Sequence, residues 1–152
     1  MTHPIEAVEG AGCPSASARR RERDLRVPLE NLTRTDLCAT SHRERICGIH
    51  AVGSCTPTFA AAGGHYNPFT REHGLDNANG PHAGDLPNLE VNVAGRGHLD
   101  AVSHHATLSG GPVSLFDADG SAIVIHANED DQVTNPTGNS GARIACGVIE
   151  AG

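Results

Sequence analysis

Lysine and tryptophan are absent from this chain, and only 3% of its 152 residues are aromatic. Without rings, a core has to be assembled from Val, Ile, Leu and Ala. No apolar run approaches the roughly 20 residues that a membrane helix needs, so no membrane span is expected. The N-terminus lacks the apolar h-region of a secretory signal. As written, the chain carries no legible export address and is expected in the cytoplasm. Basic residues are scarce too, with 11 arginines against 18 acids. Eight of these arginines fall in Met1–Cys47, and only Arg71, Arg96 and Arg143 follow. Met1–Cys47 therefore carries about +1 and the remainder about −8, in keeping with the net −7. A body this acidic is a poor nucleic-acid binder, so no nucleic-acid partner is expected. The cluster Arg19, Arg20, Arg21 and Arg23 reads as a solvated tail.

What the chain does have is turns. Glycine numbers 18 and proline 9, a composition that favours an all-β or loop-rich protein over a helix bundle. The length suits one domain. Met1–Cys47 shows no sustained period of 2 or 3.6 and is expected to be an atypical, poorly ordered segment. From Gly48 the texture changes. Short apolar runs cover Gly48–Val52, Leu89–Ala94, Ala101–Leu108, Val113–Phe116, Ala122–His126 and Ala142–Ile149. Between them stand the turn pairs Gly110–Gly111, Asp119–Gly120 and Asn135–Pro136. Short strands broken by turns predict a sandwich or Greek-key barrel for residues 48–152. Thr56–Pro87 is long, polar and without a strand pattern, which marks it as a functional loop.

Ten histidines are present. His3, His42, His98, His104 and His105 read as ordinary exposed side chains. His65, His73 and His82 do not, because they share one glycine-rich loop and are followed by Asp85. Three imidazoles and a carboxylate form a donor set suited to tetrahedral zinc. His50 and His126 end or interrupt the apolar runs IHAV and IVIH, so each would project from a strand face. Either alone would pass for a core or surface histidine. Asp130, four residues after His126, is placed to accept a hydrogen bond from a ligating imidazole and fix its tautomer.

The stretch GGHYNPFTREHGLDNANGPHAGDLPN resembles the zinc loop of the copper/zinc superoxide dismutase family. GNSGARIACGVI is similar to that family's C-terminal signature, and IHAVGSC to the segment that carries copper ligands and a disulfide cysteine. The resemblance covers about residues 48–152, and the N-terminal third does not share it. It implies an all-β Greek-key barrel or sandwich of that family's type, incomplete at its N-terminus. It further implies copper held by His50, His65 and His126, and zinc held by His65, His73, His82 and Asp85. His65 would bridge the two metals and Asp130 would link their ligand shells. Arg143 and His65 would be the catalytic residues, with Arg143 guiding the anion. Cys55 and Cys146 would form the disulfide. The implied activity is dismutation of superoxide to oxygen and hydrogen peroxide, the implied cofactors copper and zinc, and the implied partners superoxide and a second copy in a homodimer. Bacterial members of the family are commonly exported, which sits against the absence of a signal.

Besides the N-terminal third, which lacks the alternation of the family's first strands, the copper segment departs from the family. The family's copper segment begins His-x-His, whereas here it reads Gly48-Ile49-His50. Residues two apart on a strand share a face, so Cys47 faces the wrong side to replace the lost ligand. His42 could stand in only if the chain before it loops back. Copper would then keep three protein ligands, and activity could be impaired. The alternative function is therefore a non-catalytic zinc- or copper-binding module on the same fold. Arg143, which a binding module would not need, favours the enzyme. A metallochaperone domain ranks last, because no CxxC copper relay is present.

Overall fold

The computed structural model describes residues 3–7, 26–27, 43–93 and 96–151, the first two stretches as backbone. Among the described residues the regular elements are eight strands and one short 3-10 turn. The strands are β1 (His3–Ala7), β2 (Arg26–Val27), β3 (Arg43–Arg45), β4 (Cys47–His50), β5 (Leu89–Val91), β6 (Gly97–Ala101), β7 (Ala122–His126) and β8 (Arg143–Val148). The 3-10 turn spans Phe59–Ala62. One sheet runs β2-β1-β6-β5-β3 and the other β4-β7-β8. β1 and β2 pair in parallel, and the remaining ladders are antiparallel. The protein is thus all-β, as its composition implies.

Alternation decides which side chains meet between the sheets. In β4, Cys47 and Ile49 point one way and Gly48 and His50 the other. In β7, Ile123 and Ile125 face the first side, while Ala122, Val124 and His126 face the second. The first side is the main core, where Cys47, Ile49, Ile123, Ile125 and Ala145 pack on Leu89, Val91 and Leu99 of the larger sheet. On the second side a smaller cluster joins Ala62, Ala122, Val124 and Cys146, with Cys55 and Phe59 against it. β7 is buried on both faces, which is why it reads as an unbroken apolar run. The register sets Gly48 opposite Val124 and His50 opposite Ala122. All four therefore share the face that carries the histidines.

Two expected runs did not become strands as placed. Ala101–Leu108 begins where β6 ends, and only Ala101 is strand. There Ser103 Oγ accepts a bond from the His105 N–H and donates to Ala83 O, both at 3.3 Å. A serine hydroxyl that serves nearby backbone competes with a ladder. Val113–Phe116 makes only an isolated bridge, Thr107 to Ser114. Pro112 lacks the N–H a ladder needs, and Ser114 Oγ takes the Phe116 N–H at 3.1 Å. Conversely, β6 occupies GHLDA, where Leu99 is buried between exposed His98 and Asp100. In Met1–Cys47, most of the segment expected to be atypical lies outside the described residues. The strands β1, β2 and β3 occur within it, and β1 pairs with β6.

Candidate metal centre

The loop after β4 is stitched back along that strand's edge. Tyr66 N–H donates to Ile49 O at 2.8 Å, Ile49 N–H to Gly84 O at 2.9 Å, and Gly84 N–H to Tyr66 O at 2.8 Å. A side chain at position 84 would run into the Ile49 carbonyl, so only glycine permits this approach. The stitching brings His65 opposite His50 and Asp85 opposite Gly48. A second loop, following β7, closes from the other side. Asn135 Oδ1 accepts the His73 N–H at 3.0 Å. Asp130 is held by Asn88 through two bonds, Asn88 Nδ2 to Asp130 O at 3.0 Å and Asp130 N–H to Asn88 Oδ1 at 2.9 Å.

Within this frame His65, His73, His82 and Asp85 converge, with one donor atom from each lying within 4.8 Å of the others. Asp85 Oδ1 accepts the Nδ1–H of His65 at 2.6 Å and of His73 at 3.0 Å. His82 Nδ1 stands 3.2 Å from the same oxygen yet is buried without a hydrogen bond. Asp85 Oδ2 accepts the backbone N–H groups of Gly74 and His82. Burial opposes the charge on Asp85, but the bonds from the histidines and Gly74 outweigh it and hold the carboxyl well below its usual range. Burial likewise opposes charge on His73, but Asp130 and Asp85 outweigh it and raise this imidazole to about 9. His73 Nε2–H reaches both oxygens of Asp130 at 3.0 Å.

A second convergence lies on the other side of His65. His50, His65 and His126 bring their donor atoms within 4.8 Å of one another. The Nε2 atoms of all three are buried and have no hydrogen-bond partner among the described residues. Their orientation is fixed from behind. His50 Nδ1–H donates to Gly63 O at 2.9 Å, and His126 Nδ1–H to Gly141 O at 3.2 Å. The β7–β8 ladder shifts register between Ile125 and His126, at the strand end that carries the second imidazole. Burial depresses His50 to about 3 and His126 to about 4. Both therefore stay neutral near pH 7, the state in which imidazole ligates a metal.

Orphaned buried nitrogens carry a cost unless something accepts their lone pairs. Three aimed at one point, beside three Nδ1 atoms crowded on a carboxylate, fit two cations that share His65. Donors at about 2.1 Å from a tetrahedral ion stand about 3.4 Å apart, so small side-chain shifts would close the zinc set. The second set offers three nitrogens. Position 48 faces it, since a Cβ built on Gly48 would lie 3.1 Å from His65 Nε2. Cys47 points into the core, where burial pushes its thiol up to about 12. His42 lies outside the described residues.

Arg143 stands beside this set. Its Nη1 donates to Phe59 O at 2.7 Å and its Nη2 to Gly63 O at 2.6 Å. Gly63 O thus receives both Arg143 and His50, which places the guanidinium next to the imidazole. Cys55 and Cys146 are joined in a disulfide, with Cα atoms 5.7 Å apart, which pins the loop that carries Phe59 and Gly63 to β8. Of the other cysteines, Cys47 is free and Cys13 and Cys38 lie outside the described residues. His98 and His104 are exposed and His105 is half-buried, apart from both sets. Of His3 only the backbone is described.

Asp130 grips His73 of the first set, and among the described residues its carboxylate bonds no histidine of the second set. Sequence reading missed the acceptors behind the ligands. Gly63 O and Gly141 O are backbone atoms and leave no side-chain signal. Asn88 and Asn135 look like ordinary turn residues until the two loops meet.

Fold and site together define an all-β protein in which a long histidine-bearing loop builds two adjoining sets of candidate metal ligands against one face of a small sheet. The copper/zinc superoxide dismutase family model matches residues 29–149, and the chain belongs to that family. The match begins upstream of Gly48 and leaves residues 1–28 outside. A superoxide dismutase-like protein of Bacillus subtilis, YojM, is 49% identical over 105 residues, 66% of this chain and 53% of the relative. A copper-zinc superoxide dismutase of Caulobacter vibrioides is 41% identical over 129 residues, 83% of this chain and 70% of the relative. The crystal structure of a superoxide dismutase-like protein from Bacillus subtilis superposes with a TM-score of 0.67 at 45% identity, covering 71% of this chain and 73% of that one. The chain spans about half the length of its Bacillus relative and 60–62% of two Aquifex aeolicus relatives.

Proposed function

We propose that this chain dismutates superoxide, with copper on His50, His65 and His126 and zinc on His65, His73, His82 and Asp85. The observation that carries the reading is the set of three buried, unpaired Nε2 atoms that share His65 with the four-residue zinc set. Copper, when bound, supplies the one-electron chemistry by which two superoxide anions and two protons become oxygen and hydrogen peroxide. The chain's own groups do the rest. Arg143, held rigid by two carbonyls, offers a fixed positive charge to a small anion inside an otherwise acidic body. His65 presents Nε2 on the copper side and Nδ1 on the zinc side, so it can hold a proton at Nε2 while Nδ1 stays anchored. Asp130 holds His73 in one tautomer and leaves its Nδ1 for the zinc set.

The second reading, a metal-binding module without turnover, is favoured by Gly48, which leaves the copper set one ligand short. Metal content and superoxide consumption measured on one preparation separate the two. The enzyme reading requires bound copper and superoxide loss that disappears when copper is removed. A protein that holds both metals and consumes no superoxide would establish the module instead. In either reading a homodimer remains our proposal for assembly, to be read from its mass in solution.

A further inference from the structure

The copper side of this centre has an unusual donor count, and the count bears on oxidation state. Three imidazole nitrogens converge, and position 48 on the same strand face ends in a hydrogen. No carboxylate belongs to the set, because Asp85 sits with the zinc donors and Asp130 bonds His73. The Arg143 guanidinium shares the Gly63 carbonyl with His50. His50 and His126 are 1% and 3% exposed, and Arg143 stands half-buried beside them.

Resting on the proposed copper site, we infer that Gly48 makes the three-histidine set a cuprous-ion site, one that holds Cu(I) far more tightly than Cu(II). Cu(I) has a filled d shell and accepts three nitrogen donors without a geometric demand. Cu(II) favours a tetragonal field of four or more donors, which three imidazoles from one side cannot supply. Charge acts in the same direction. His50 and His126 are neutral, the charge of a shared His65 imidazolate is offset by the zinc it also holds, and the fixed guanidinium beside them disfavours a doubly charged ion more than a singly charged one. Supplying a fourth imidazole at position 48 removes the first of these causes and leaves the second. The site therefore regulates the proposed activity through oxidation state, since a turnover that needs both states is held back at re-oxidation.

The test is anaerobic titration of the zinc-loaded protein with Cu(I) against bicinchoninate, and titration with Cu(II) against nitrilotriacetate, for the natural chain and for Gly48→His. In the natural chain the Cu(I) complex should be the tighter, and copper left in air should stay bound without a Cu(II) paramagnetic resonance signal. In Gly48→His the Cu(I)-to-Cu(II) affinity ratio should fall by at least about tenfold, equivalent to a reduction potential lower by about 59 mV. Equal affinities in the natural chain, or an unchanged ratio in a variant that binds both ions, would overturn the inference while leaving the copper site standing. Retention of zinc with no binding of either copper ion would overturn the inference and the proposed function together. If Gly48→His loses its zinc through misfolding, the two titrations and the resonance signal of the natural chain decide alone.

Discussion

At the scale of single residues, the centre depends on groups that touch no metal. Asp130 accepts His73 Nε2–H with both oxygens and is itself fixed by Asn88. Asp130→Asn keeps the shape but gives up the charge, so His73 loses its preferred tautomer. Zinc affinity should fall by about 10–100-fold, read by competition with a chromophoric chelator. An unchanged affinity would show that Asp130 serves loop folding alone. The same imidazoles set the pH range of the metal-free protein. His73 is raised from 6.5 to about 9, so the stability it contributes is complete below about pH 6.5 and is lost as pH rises through about 9. His50 and His126 are lowered to about 3 and about 4. Their contribution is complete above about pH 6.5 and is lost as pH falls toward those values. Urea unfolding of the metal-free chain should therefore show greatest stability near pH 6.5, with stability falling on both sides. Excess zinc should flatten the alkaline limb, because zinc replaces the proton on His73 Nδ1.

At the scale of elements, β7 and the disulfide hold the rest in place. β7 lies between β4 and β8 and is buried along its length. Ile125 is 3% exposed within the main core. Ile125→Ala should cost about 2–5 kcal/mol of folding stability, seen as a lower urea midpoint. Cys55–Cys146 closes a span of 91 residues, a loop for which chain entropy gives about 4–5 kcal/mol. The bond also fastens the Phe59 and Gly63 carbonyls near Arg143 and His50. Replacing both cysteines with serine should therefore lower the melting temperature of the zinc-loaded protein and weaken copper binding as well. A fall in melting temperature with copper affinity intact would show that β8 and the 3-10 turn keep Arg143 in place without the bond.

At the scale of the whole molecule, charge is the relevant property. In a chain of net −7, Arg143 at the candidate metal cleft would draw a small anion there against an acidic background. Under the proposed function, Arg143→Ala should slow superoxide consumption by about tenfold or more at low salt. Copper and zinc content should be unchanged, because Arg143 donates no ligand. Added salt should narrow the gap between the two proteins, since screening weakens steering over about 10 Å at 0.1 M. Equal rates at every ionic strength would leave Arg143 as a clamp on the Phe59 and Gly63 carbonyls.

Much of this was legible before folding. Glycine and proline content and the short apolar runs pointed to an all-β chain, and the runs that became β4, β5, β7 and β8 are self-contained apolar segments bounded by turns. His65, His73, His82 and Asp85 lie within one loop, so their grouping needed no tertiary information. The pairing of His50 with His126 came from resemblance, because 76 positions of chain separate them and only the β4–β7 register sets them on one face. The absence at Gly48 was readable as a missing letter. That its empty side faces His65 Nε2 was decided by the loop stitched along β4. Asn88, Asn135 and the carbonyls of Gly63 and Gly141 were invisible in sequence, because backbone acceptors look alike and amide side chains abound in turns. The sequence by itself determined which donor chemistry is present. Only the tertiary structure decided which nitrogen of each imidazole is tied back and which is left bare, because that choice belongs to hydrogen bonds between segments far apart along the chain.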